Sequence, residues 1–185
     1  VRGGPAPRMR IGVHIGHWER RPHDVVTLAR VAQACGLDAV WVSETWGSDA
    51  VVLAAAIAAG TDRIGVGTGV LQMPARTPAA AAMAALTLDH ISDGRFRLGL
   101  GVSGPLVVEG WHGVTFGSPL ARTREDVEVV RAVLAREASL EHTGSVYPLP
   151  LPDGPGKALK ANVTPLRPDL LIYLAAMGPR NVALT

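Results

Sequence analysis

Residues 39–50 read AVWVSETWGSDA, and the change of chemistry inside this stretch decides the fold. Ala39 to Val42 are apolar, Ser43, Glu44 and Thr45 are polar, Trp46 is aromatic, and Gly47, Ser48 and Asp49 follow. A short continuous apolar run bounded by turn residues is the pattern of a strand buried on both faces. Ser48 or Asp49 then caps a helix through SDAVVLAAAIAAG, since a short polar side chain accepts from the first unpaired helical amides. A core strand that ends in a hydroxyl, a carboxylate and an indole places chemistry at its carboxyl end.

Working outward, the same strand-then-helix rhythm repeats. RIGVHIG (10–16) alternates Ile11, Val13 and Ile15 with Gly12, His14 and Gly16, and VVTLARVAQACG after Asp24 has helical spacing and stops at Gly36. RIGVGTGVLQ is a third strand, and TPAAAAMAALTLDHIS a helix with Thr77 as cap and Pro78 at its first position. RFRLGLGVSG is a fourth strand, after which the rhythm loosens over 105–119. LARTREDVEVVRAVLARE is an amphipathic helix, with Val127, Val130, Val133 and Leu134 on one face and Arg124, Glu128 and Arg131 on the other. A Pro/Gly-rich insertion at about 144–168 precedes LLIYLAA, a fifth strand, and GPRNVALT begins another helix. Strands are expected near 10–16, 39–44, 63–71, 96–102 and 170–176.

Alternating strands and helices with short connections specify an α/β fold with a parallel sheet covered by helices. An open doubly wound sheet and a closed (β/α) barrel both satisfy that pattern. The first strand lacks the G-x-G-x-x-G turn of a dinucleotide-binding open sheet. Instead each strand ends in polar or glycine-rich residues: His14, Glu44, Gly69, Ser103 and Gly178. Several strand tips contributing to one rim is how a barrel builds a site.

With 185 residues, 48% of them hydrophobic and 18% charged, the chain can bury a real core, and residues 10–185 read as one domain behind a flexible leader, 1–9. A net charge of +2 leaves no basic footprint for nucleic acid. No apolar run is long enough for a membrane span, and the first residues carry no signal core. The lone Cys35, expected as a small buried hydrophobe, fits a reducing compartment, so a cytoplasmic protein is expected.

Among individual residues, Glu44 is a candidate for proton handling or substrate binding, or else a carboxylate serving the following helix. His14 is either a satisfied strand histidine or a proton carrier, and His112 sits in a loop with Glu109 and Trp111. Trp46 is expected to line a ring pocket or to pack in the core. Gly101, Ser103 and Gly104 form a small-residue loop, and Gly178, Pro179, Arg180 and Asn181 turn from strand into helix with backbone amides and a cation available to an anion. No metal-ligand spacing, nucleophile elbow or P-loop occurs.

The ordered series GLDAVWVSETWGSDA, TDRIGVGTGVLQMPARTPAAAAMAALTLDHISDGRFRLGLG, SGPLVVEGWHG, PLARTRE and IYLAAMGPRNVALT resembles the bacterial luciferase-like superfamily, in its coenzyme F420-dependent oxidoreductase branch. The resemblance implies a (β/α)8 TIM barrel, here its first five β/α units, with F420, or alternatively FMN, at the carboxyl ends of the strands. It also implies a non-prolyl cis peptide at Gly69–Val70 behind the cofactor ring, with Thr45 and Trp46 beside the ring and Gly178 to Asn181 at its phosphate end. Related sugar-phosphate and alcohol dehydrogenases carry Asp-His where Glu44 and Thr45 stand, and a threonine cannot replace an imidazole as base.

The implied activity is hydride transfer between F420 and a small organic substrate. The alternatives are an FMN-dependent monooxygenase and a non-catalytic partial barrel. A complete barrel needs about 250 residues, so the reading expects either a piece of a longer enzyme or a short relative that covers its open edge by forming a homo-oligomer such as a dimer.

Overall fold

The computed structural model describes residues 9–16 and 21–185, so most of the expected leader, residues 1–8, lies outside the described residues. The element order is β1 (Gly12–Ile15), α1 (Val25–Ala34), β2 (Ala39–Val42), α2 (Ala50–Gly60), β3 (Gly65–Thr68), β4 (Leu71–Gln72), α3 (Pro78–Ile91), β5 (Phe96–Gly101), α4 (Pro105–Gly110), α5 (Pro119–Ala135), β6 (Ile172–Leu174) and α6 (Pro179–Val182). Every strand pair is parallel: β1 with β2, β2 with β3, β3 and β4 with β5, and β5 with β6. Spatial order therefore follows chain order, which is the course of a (β/α) barrel and not of a doubly wound sheet.

The expected third strand, 63–71, is interrupted. β3 stops at Thr68 and β4 starts at Leu71, and the intervening Gly69–Val70 peptide is cis. Both pieces pair with β5, at Val66 to Phe96 and at Leu71 to Leu100. Across the gap the buried Thr68 hydroxyl accepts from the Gly99 N–H at 2.8 Å and donates to the Gly99 carbonyl at 2.9 Å. One side chain thus satisfies the two main-chain groups that the broken ladder leaves behind. Gly99 is required there, since a Cβ would lie 1.9 Å from the Thr68 carbonyl oxygen.

The two faces of the sheet differ, although the sequence suggested apolar residues on both. Val40, Val42, Val66, Phe96, Leu98 and Leu100 are buried and belong to the core. On the concave face Trp41 lies edge-on to Tyr173, with ring centroids 5.1 Å apart, and the Arg97 guanidinium stands 5.9 Å over the Trp41 ring. Gly67 makes the room, because a Cβ there would be 2.5 Å from that indole.

Helix boundaries follow the local chemistry. Asp49, not Ser48, caps α2, accepting from Val51 and Val52 N–H at 2.8 and 3.1 Å, and Thr77 caps α3 ahead of Pro78. Cys35 corrects its expectation: it falls at the C-cap of α1 and is exposed. The loosened stretch contains the short helix α4, which opens with proline. The insertion carries little regular structure beyond one bridge between His142 and Leu149.

Clamps close the amino-terminal ends of the strands. Arg95 donates to the carbonyls of Ala58, Thr61 and Ile64, and Arg167 pairs with the buried Asp89 while donating to the Phe96 carbonyl at 2.7 Å. His90 Nε2 lies 2.8 Å from the Thr164 carbonyl oxygen, so Asp89, His90 and Arg95 all tie segments together at this end of the sheet.

Candidate active site

The carboxyl ends of β1, β2 and β3 meet in a small polar cluster. The His14 Nε2 lies 2.6 Å from the Ser43 Oγ and 3.2 Å from the Gly69 carbonyl oxygen, and Ser43 Oγ is 3.3 Å from that same oxygen. A carbonyl only accepts. An Nε2–H donating toward Ser43, with the Ser43 hydroxyl donating on to Gly69, gives each group a partner. His14 is exposed, so its imidazole stands at the concave face and not in the core.

Behind this cluster a second set of contacts fixes the rim. Glu44 accepts from the Gln72 N–H at 2.9 Å and pairs with Arg76 at 2.5 Å, and Arg76 also reaches Asp49 at 3.2 Å. The Glu44 side chain is only 6% exposed. Its carboxylate is thus committed to neighbouring strand and helix ends, and the Ala50 N–H lies 3.5 Å away. The Gln72 amide nitrogen donates to the Thr45 carbonyl at 2.8 Å, which ties the turn bearing Trp46 to β4.

The remaining residues proposed from sequence surround these two sets. Val70 lies over β5, where a Cβ on Gly101 would come within 2.6 Å of the Val70 side chain and 3.2 Å of Ala175. Ser103 takes a positive φ of 58°, and Cβ atoms added at Gly104 or Gly178 would meet nothing within 4 Å. Gly178 is the N-cap of α6, followed by Pro179 and Arg180, with Arg180 exposed. The Asn181 Oδ1 and the His112 Nε2 are buried without a hydrogen-bond partner. No hydrogen bond among the described residues joins His112 or Arg180 to the His14 cluster.

Ser43, Thr68, Gln72 and Arg76 escaped the sequence reading. Arg76 had a signal, a cation just past the third strand and opposite Glu44. Ser43 and Thr68 had none, because a hydroxyl near a strand end looks the same whether or not it bridges. A cavity of about 550 Å³ lies away from the rim, between α3, α5 and residues 157–163. Among the described residues no group of three or more His, Cys, Asp or Glu could hold a metal, and no helix is long and apolar enough to cross a membrane.

With that geometry in place, comparison with known proteins identifies the family, since residues 8–185 match the model of the luciferase-like monooxygenases. The chain belongs to the luciferase-like monooxygenase family. A Mycobacterium tuberculosis protein bearing the name of a coenzyme F420-dependent oxidoreductase is 51% identical over 181 residues, covering 95% of this chain and 52% of that protein. An F420-dependent glucose-6-phosphate dehydrogenase of Amycolatopsis mediterranei is 30% identical, over 92% of this chain and 53% of its own length. Among solved structures, an F420-dependent secondary alcohol dehydrogenase superposes with a TM-score of 0.81 at 22% identity, covering 96% of this chain and 55% of that one. The chain spans about half the length of the relatives it matches. This luciferase-like chain accordingly holds the parallel α/β units of that barrel type, with its strand tips on one rim.

Proposed function

We propose that the chain contributes to an F420-dependent oxidoreductase that transfers hydride between the deazaflavin and a small organic molecule. The observation that carries this reading is the rim itself: a backbone bulge at Gly69–Val70, faced by the His14–Ser43 pair and backed by glycines of β5. The 51% identical relative with an F420-dependent name supports the choice of F420. The residues fit such a cofactor. Open space faces Gly104 and Gly178, and Asn181 presents a buried oxygen that lacks a partner.

Bound F420 would supply a two-electron hydride carrier, because a carbon replaces the ring nitrogen that reacts with oxygen in flavins. The chain's own residues divide the remaining work. Gly69, Val70, Thr45, Trp46, Gly101, Ser103 and Gly104 would hold the cofactor's ring, and Arg180 would be available to its anionic tail. His14 and Ser43 present an imidazole and a hydroxyl at the rim, where either could exchange a proton with a bound substrate. Glu44, bound by Arg76, positions the rim in this reading. His112, whose buried Nε2 has no hydrogen-bond partner, is a second polar group available to a ligand in this reading.

Titrating F420 and FMN separately into the purified protein, with cofactor fluorescence as the readout, tests the reading. F420 should saturate, Arg180→Ala should weaken it by about tenfold, and His14→Ala should change its affinity by less than about threefold. In the assembled enzyme His14→Ala should lower turnover by about 10²-fold. Tight FMN binding without F420 affinity would instead favour a flavin monooxygenase, and binding of neither would favour a non-catalytic partial barrel. Self-association belongs to the same proposal, since the outer strands β1 and β6 lie beside exposed Ile11, Leu171 and Tyr173. Light scattering showing a dilution-resistant monomer would remove that part.

A further inference from the structure

Trp46, Leu106 and Trp111 are large apolar side chains that remain 54%, 84% and 64% exposed. Singly, such residues on a surface are ordinary, but together beside a site they mark a place where something binds. Here they converge: with Val107 and Gly110 they line one cleft of about 250 Å³. That volume lies just under the roughly 300–1,000 Å³ of pockets for drug-sized ligands, so the cleft suits a small molecule or one part of a larger one.

Both walls are held by contacts made elsewhere. Trp46 follows Thr45, whose carbonyl is bound by Gln72, and it stands three positions after Ser43 of the proton-handling pair. The opposite wall is α4, whose Val107 carbonyl accepts from Trp111 and His112 N–H at 2.9 and 3.2 Å. Glu109, the one charged residue of α4, is engaged outside the cleft, accepting from the Phe116 N–H at 3.1 Å. Among the described residues no Lys, Arg, Asp or Glu lines the cleft.

Resting on the F420 reading above, we infer that this cleft takes an uncharged apolar portion of the substrate, a ring or a branched chain, next to the rim. Two indoles and a leucine offer flat and aliphatic surfaces that gain from excluding water. Among the described lining residues a phosphate or sugar phosphate would meet no cation and no array of donors to compensate its desolvation.

The test labels the cofactor-free protein with 5-fluorotryptophan and follows the ¹⁹F resonances, assigned by single Trp→Phe variants, during titration with 4-phenylbutan-2-one and, separately, glucose 6-phosphate. The Trp46 and Trp111 resonances should shift saturably with the ketone, the Trp41 resonance should stay, and glucose 6-phosphate should move none of them. Leu106→Asp, at a position too exposed to affect folding, should weaken the ketone by roughly tenfold or more. Absence of a saturable shift with the ketone, a saturable shift with glucose 6-phosphate, or undiminished ketone binding by Leu106→Asp would each overturn the inference. F420 titration of the same samples reports on the cofactor independently, so failure of one reading is distinguishable from failure of the other.

Discussion

Two of the buried carboxylate clusters, one at the rim and one on α5, are built for different ends. At the rim, Glu44 is gripped by Arg76 and the Gln72 amide, immediately behind the open surface that carries His14 and Ser43. On α5, Glu125 accepts from the N–H groups of Ser145, Val146 and Tyr147 and from the Ser145 hydroxyl at 2.8–2.9 Å, while His142 bridges the Glu128 carboxylate at 3.0 Å and the Tyr147 carbonyl at 2.8 Å. Buried Asp126 lies in the same group, its carboxyl pushed up to about 7, chiefly by burial and against the pull of Tyr147 and Arg122. The second cluster has more perturbed groups yet fastens a loop to a helix. A displaced carboxyl therefore does not by itself mark a site; an adjacent concave face with exposed polar groups and room beside glycines does.

The sharpest way to break this contrast is at the rim's backbone. Gly99→Ala should destabilise the chain by about 4 kcal/mol or more in chemical unfolding, because its methyl meets the Thr68 main chain and not a movable side chain. Gly104→Ala, with nothing nearby, should stay within about 0.5 kcal/mol.

Arg76→Ala should cost about 2–3 kcal/mol, since it strands the nearly buried Glu44 carboxylate, and Arg76→Ala with Glu44→Gln should recover part of that loss. Equal losses in the single and double variants would mean the two side chains do not act as a pair. Glu125→Gln should cost about 1–2 kcal/mol and raise hydrogen exchange at 145–147, leaving the 65–72 amides unchanged.

The smallest effect is a pH dependence confined to the α5 cluster. Between the ordinary carboxyl value of 3.8 and about 7, folded Asp126 keeps a proton that the unfolded chain has released, so stability falls as pH rises through that window. His142 is held above its usual 6.5 first by Glu128 and then by the Tyr147 carbonyl, so its stabilisation is full below 6.5 and fades as pH climbs through the folded value. Glu125 has the opposite sign. Burial pushes its carboxyl up, but hydrogen bonds from Tyr147, Val146 and Ser145 together hold it below the usual 4.5, and its stabilisation is lost in stronger acid. The melting temperature should therefore fall as pH rises from about 4 through about 7 and on through the His142 transition, and Asp126→Asn should flatten the part below about pH 7. An unaltered slope in that variant would take Asp126 out of the cluster's titration.

The pattern of elements was legible because it rests on periodicity and caps, and Asp49, Thr77 and Pro78 announce helix starts by local chemistry alone. The interruption at Gly69–Val70 was expected only through the family resemblance, since GVGTGV reads locally as one strand. Helix α4 was missed because six residues show too little of a helical period. The amphipathic reading of α5 found Val130, Val133 and Leu134 but missed Glu125 and Asp126, which are 8% and 1% exposed. Charged side chains signal a solvated face unless distant partners bury them, and theirs come from residues 145–147, far along the chain. Glu44 illustrates the same limit: its place on the rim was legible, but its commitment to Arg76 depends on folding.

The Thr68 hydroxyl turns a conformational detail into a criterion for reading other genomes. Only one oxygen that both gives and takes a hydrogen bond can bridge the gap in the ladder at Gly99. Valine has the same outline and can do neither. Unnamed sequences built on this interrupted strand should consequently carry serine or threonine just before the glycine of the bulge, matched by a glycine at the facing position of the next long strand. A sequence with valine in the first place or alanine in the second can share the helices and the hydrophobic rhythm and still lack this bridge across the broken ladder.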